Sequence, residues 1–162
     1  MLKKFELIDN VPPWFTDKVV KPYYENEKVS IYWDIPEFTG ANDNIVEENL
    51  KRPDGKLKIK SEKKIYLIEM TCPWLNFRNE KYEYKTQKYN DILSNIRREE
   101  RGFTVDQITL VIDSLGGYSA NLAENISKVF EDKRLVNSII LRMQKTVLSG
   151  SVHICRRFKL HK

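Results

Sequence analysis

Val29-Ser30-Ile31-Tyr32-Trp33 alternates, is rich in strand formers and is limited by Pro36, which predicts a short strand. Upstream, residues 1 to 27 show no such pattern. Pro12, Pro13 and Pro22 interrupt any helix there, and Trp14, Phe15, Tyr23 and Tyr24 offer aromatic anchors, so the stretch reads as an irregular N-terminal arm laid over a domain of residues 28 to 162. Between Ala41 and Leu50, the apolar Ile45, Val46 and Leu50 share one helical face that Asn42 or Asp43 can cap, which predicts a helix. Lys56-Leu57-Lys58-Ile59-Lys60 then alternates strictly, whereas Ile65-Tyr66-Leu67-Ile68-Glu69-Met70 is apolar on both parities, as in a strand covered on both faces. Ser61 to Lys64 between them predict a hairpin turn.

From about Asn76 to Arg101 the chain has no Pro or Gly, and Tyr82, Lys85, Tyr89, Ile92, Leu93 and Ile96 recur on one side at helical spacing. One long helix is expected, ended by Gly102. Ile108-Thr109-Leu110-Val111-Ile112 is a second apolar strand, and the order strand, helix, strand implies a right-handed parallel crossover. The sheet is then mixed and the fold class α/β, a mixed sheet flanked by helices. After Gly116-Gly117, Ala120 to Phe130 reads as an amphipathic helix. Another pattern runs through Val136, Ile139, Ile140, Met143 and Val147, with Ile154, Cys155 and Phe158 available to extend its face. Gly150 leaves this last helix continuous, kinked or split.

Composition narrows the class. A chain of 162 residues with 41% hydrophobic and 11% aromatic side chains suits one domain with a single core. The net charge of +5 favours phosphate-bearing or acidic partners. Cys72 and Cys155 lack the paired spacing of a structural zinc site and read as buried, reduced thiols. No apolar run is long enough for a signal peptide or membrane span, so an intracellular, soluble protein is expected. His153 and His161 are the only histidines and lie far from the acids below, which argues against a histidine-based nuclease.

Candidate chemistry lies in Lys51-Arg52-Pro53-Asp54 and in Glu69, an acid inside an apolar strand. If the hairpin closes with Ser61 opposite Lys64, Lys56 faces Glu69, and Asp54 lies diagonally on the same face at about 7 to 8 Å. A slip of one residue would separate the two acids onto opposite faces. Two carboxylates with the backbone carbonyl of Met70 nearby form an all-oxygen site suited to Mg or Mn. Such an ion activates water and neutralises charge on a scissile phosphate. Lys85 is the candidate for the cation that attack also requires, with Tyr89 four residues on along the same face. Read singly, Pro-Asp starts turns and a lysine stem snorkels over an amphipathic helix, so the pattern matters more than any one residue.

The ordered series Tyr32-Trp33-Asp34-Ile35-Pro36, Arg52-Pro53-Asp54, Leu67-Ile68-Glu69-Met70, Lys85, Lys88-Tyr89, Leu115-Gly116-Gly117 and Leu148-Ser149-Gly150-Ser151 resembles the restriction-like endonuclease domain found downstream of reverse transcriptase in non-LTR retroelements. That domain cuts the chromosomal target so that reverse transcription can start. The resemblance runs from about Val29 to Phe158 and implies a PD-(D/E)XK restriction-endonuclease-like core. It further implies Asp54 and Glu69 as metal ligands, with Lys85 and Tyr89 matching the lysine and tyrosine of the following helix. Two positions depart from the pattern. Gly55 replaces a common aliphatic residue and should loosen the strand, and Thr71 stands where many such nucleases carry their lysine.

The expected function is therefore metal-dependent DNA cleavage, acting in the nucleus. Element RNA or a reverse transcriptase on a separate chain would be further partners. Phosphate contacts are expected from Lys51, Arg52, Arg78, Lys81 and Lys88, and more weakly from Arg156 and Arg157. Two other readings stay open: a domain that keeps the fold and binds nucleic acid without cutting, and a structural module that binds a protein partner.

Overall fold

The computed structural model describes residues 1–10, 21–34, 37–38 and 50–160. The helix expected from Ala41 lies outside them, as do Pro12, Pro13, Trp14, Phe15, Pro36 and His161. Leu50, the last residue of that expected helix, is in a strand instead. The central sheet has five strands in the order β1 (Tyr23–Glu25), β2 (Val29–Trp33), β5 (Gly55–Ile59), β6 (Lys64–Thr71) and β7 (Thr104–Val111). Two short strands, β3 (Glu37–Phe38) and β4 (Leu50–Lys51), pair separately. The first three pairings of the large sheet are antiparallel, and the sheet as a whole is mixed, so the chain is α/β with helices flanking a mixed sheet. Among the described residues no helix is long and apolar enough to cross a membrane.

The chain divides into two compact units, Met1–Ile68 with Tyr89–Gln107, and Glu69–Lys88 with Ile108–Lys162. In the first, Val29 pairs with Ile59 and Ile31 with Leu57, so these four buried side chains share one face of the sheet. Ile65 and Leu67 take the opposite face and pack with Tyr89, Val105 and with Ile92, Leu93 and Ile96 of α2 (Asn90–Glu99). Both faces of β6 are therefore buried here, which is why it reads as apolar on both parities. The arm is not wholly irregular. Its Tyr23–Glu25 forms the edge strand β1, with Tyr23 opposite Tyr32.

The hairpin closes two residues away from the expected register. Ile59, rather than Ser61, faces Lys64, and the loop is Lys60 to Lys63, with Lys63 at φ 52° taking the left-handed conformation the turn requires. An even shift keeps every side chain on its predicted face.

In the second unit, a short 3-10 turn (Leu75–Phe77) leads into α1 (Arg78–Lys88), and α3 (Ala120–Ser127) packs on α4 (Lys133–Leu160). Ile108, Ile112, Leu122, Ile126, Phe130, Val136 and Ile140 are buried, and the Asn125 amide donates to the Thr109 carbonyl, tying α3 to β7. α4 runs unbroken through Gly150, where a side chain would meet open space. The expected extension of its buried face does not occur, since Ile154 and Phe158 are exposed. Both cysteines are also exposed, not buried. The single long helix expected from Asn76 to Arg101 is two: α1 ends at Lys88, Tyr89 is non-helical (φ −109°, ψ 14°), and α2 begins at Asn90.

Candidate metal and phosphate site

Glu69 belongs to β6, which is buried from Ile65 to Glu69, and it is only 2% exposed. Its Oε1 accepts the Lys85 ammonium from α1, while its buried Oε2 has no hydrogen-bond partner. A carboxylate oxygen removed from water and left without a donor carries an uncompensated desolvation cost, commonly a few kcal/mol. Lys85 offsets one side of the carboxylate, and the other is a place for a donor or a cation. Lys85 itself is mostly buried, with its ammonium at the acid.

In the other unit, the last pair of the β5–β6 ladder is Gly55 with Ile68. Asp54 lies in the bend just before β5. Pro53 is buried, Asp54 is half-buried, and the Asp54 carbonyl accepts the Asp34 amide at 3.1 Å, where Asp34 leaves β2 at φ 50°. Gly55 does not loosen the strand as expected. It is buried and paired on both sides, with Trp33 and with Ile68, and a side chain on it would lie 2.9 Å from the Trp33 ring. Glycine makes room for the indole.

Tyr89 is fully buried in the first unit's core, and its hydroxyl donates to the Arg52 carbonyl at 2.9 Å. It holds the backbone two residues before Asp54. Among the described residues, no three or more His, Cys, Asp or Glu side chains gather as a metal-binding group. Met70, whose carbonyl is the expected third ligand, presents an exposed side chain.

Several expected phosphate contacts are engaged elsewhere. Lys51 is bound by Asp91 at 2.9 Å, and Arg78 Nη1 by Asp113 at 3.2 Å. Lys81 lies over the Tyr84 ring, Lys88 is half-buried, and Arg52, Arg156 and Arg157 are exposed.

Asp113 is a buried acid that sequence reasoning missed. Its Oδ1 accepts the amides of Leu115 and Gly117, both at 2.9 Å, while Oδ2 takes Arg78. A side chain at Gly117 would lie 2.3 Å from Oδ2, and Gly116 sits at φ 82°, so both glycines of the pair are required by this turn. The signal was present in Asp113 four residues before Gly117, but an aspartate there also starts ordinary turns. Partial shielding from water by neighbouring atoms, and then the nearby Asp113 charge, push the pKa of the otherwise exposed Cys72 thiol up, which keeps it protonated and a poor nucleophile.

No protein-family model matches the chain, and no curated protein is found similar to it.

Proposed function

We propose that this chain is a metal-dependent DNA endonuclease domain with a PD-(D/E)XK core, similar to that of non-LTR retroelements. The observation that carries the reading is the Glu69 carboxylate, buried in a strand, with one oxygen on Lys85 and the other without a partner. A hard-oxygen donor with an uncompensated lone pair fits Mg or Mn, and Asp54, in the bend before β5, is the second acid of the proposed set. When bound, the ion would supply charge neutralisation at the phosphate and a lowered pKa for water. Glu69 and Asp54 would hold it, Tyr89 would fix the backbone leading to Asp54, and Lys85 would present positive charge to the phosphate oxygen as negative charge develops there.

The test is nicking of supercoiled plasmid with Mg or Mn, with and without chelator, by the parent chain and by Asp54→Asn. The reading expects metal-dependent nicking that chelator abolishes and Asp54→Asn removes, with DNA affinity nearly unchanged. Undiminished nicking by Asp54→Asn would overturn the metal assignment. A second reading is a nucleic-acid-binding domain that no longer cuts, in which Lys85 serves only to neutralise the buried Glu69 carboxylate. It expects salt-dependent DNA binding with no nicking under any metal.

A further inference from the structure

Between β6 and α1 the second unit displays aromatic side chains that its core does not use. Trp74 is 62% exposed and Phe77 50%, and Tyr84 on α1 is 56% exposed. The display is built into the backbone. Pro73 is buried and its carbonyl accepts the Ser114 amide at 2.9 Å, and the Trp74 carbonyl accepts the Phe77 amide at 2.9 Å, closing the turn that holds both rings outward. Exposed aromatics on a fixed turn forgo burial that a core would reward, so their placement calls for a ligand.

Charge indicates which ligand. Phe77 in the turn that leads into α1, and Lys81, Tyr84 and Lys88 on α1, succeed one another at steps of four, three and four, so cations and rings alternate from the turn along α1. The Lys81 ammonium lies 5.5 Å from the centroid of the Tyr84 ring. The centre of a protein-binding surface is depleted in lysine, which fits this alternation poorly. A nucleic-acid strand fits it well, because bases stack on rings while phosphates follow the cations. A paired duplex hides its base faces, so the strand must be locally unpaired.

We infer that Trp74, Phe77 and Tyr84 form a stacking platform for unpaired bases of a DNA strand, in the same unit as Glu69 and Lys85. The inference rests on the nucleic-acid part of the proposed function and not on its metal. The seven steps from Phe77 to Tyr84 span about 10 Å at roughly 1.5 Å per residue. At roughly 3.4 Å per nucleotide that is a footprint of about three bases.

The test is equilibrium binding by fluorescence anisotropy, in chelator at low salt, of a labelled ten-nucleotide oligo-dT and of a blunt hairpin duplex. The full chain is expected to bind the single strand. Trp74→Ala/Phe77→Ala should weaken that binding about 30-fold or more, from two stacked bases at roughly 1 kcal/mol or more each. Its duplex affinity should change less than about threefold, and Trp74→Phe/Phe77→Tyr, which keeps the rings, should restore single-strand binding. Equal losses on both probes, no loss on either, or no single-strand binding by the parent chain would overturn the platform. Single-strand binding that depends on the rings in a chain that never nicks DNA would leave the platform standing and remove only the nuclease reading. Nicking by a chain that ignores the single strand would do the reverse.

Discussion

Glu69 and Lys85 form a pair in which the acid is almost wholly out of water and the base mostly so. Removing one partner of such a pair typically costs about 3 to 5 kcal/mol, because the other charge stays buried alone. Lys85→Met is therefore expected to lower unfolding free energy by roughly that amount, and Glu69→Gln/Lys85→Met to recover a large part of it. Urea denaturation of the two single variants and the double variant measures this, and additive losses would show that the side chains do not interact. A second expectation concerns Gly55. Gly55→Ala should cost about 1 to 3 kcal/mol by driving a methyl into the Trp33 ring, and Trp33→Leu should absorb much of that cost when the two are combined. An unchanged midpoint for Gly55→Ala would show that the indole moves freely. Sequence reasoning reached Glu69 and Lys85 because an acid inside an apolar strand and a lysine on an apolar stripe are both out of place. It misjudged Gly55 because the Trp33 ring against it comes from another strand, and it passed over Asp113 because burial cannot be read from a residue type that also starts turns.

Strands β2, β5, β6 and β7 were legible because side-chain alternation and β-branched runs are local signals. Strand β1 was not, since three residues after a proline acquire their strand character only from pairing with β2. The hairpin register was off by two because loop length decides it and the left-handed Lys63 left no mark in the sequence. The break at Tyr89 was hidden for a similar reason. The stripe Tyr82, Lys85, Tyr89 and Ile92 is continuous in sequence, yet α1 buries none of its residues while Tyr89 and the apolar face of α2 are buried. Tyr89 leaves helical geometry where that change occurs, and its hydroxyl reaches the Arg52 carbonyl. Tyr89→Phe should therefore cost about 1 kcal/mol, the usual worth of one such hydrogen bond. In the nuclease reading it should slow cleavage far less than Lys85→Ala, with the loss restored as metal is raised, since what it loosens is the segment carrying Asp54. A thermal melt and a metal titration of nicking measure the two parts. A loss that no metal concentration relieves would mean that the hydroxyl acts on the reaction itself.

For the whole molecule, a net charge of +5 among 28 basic and 23 acidic side chains is a small excess, so affinity for DNA depends on where the cations are rather than on how many there are. Of the seven expected to contact phosphate, Lys51 is held by Asp91 and Arg78 by Asp113. A cation already neutralised by a carboxylate displaces few counterions when DNA arrives. The expected set thus provides at most five phosphate contacts (seven less two), and a slope of log affinity against log salt no steeper than about −4.5 at 0.9 per contact. The decisive comparison is between single variants. Lys81→Ala should flatten the slope by about 1, because its ammonium faces a ring and remains charged toward the strand. Lys51→Ala should leave the slope nearly unchanged, and its partly exposed pair with Asp91 contributes little to stability, so a folding defect would not obscure the result. Binding measured over about 50 to 200 mM salt separates the two cases. If Lys51→Ala flattened the slope as much as Lys81→Ala, the Asp91 pair would have to open on DNA, and the phosphate path would pass along β4 as well as along α1.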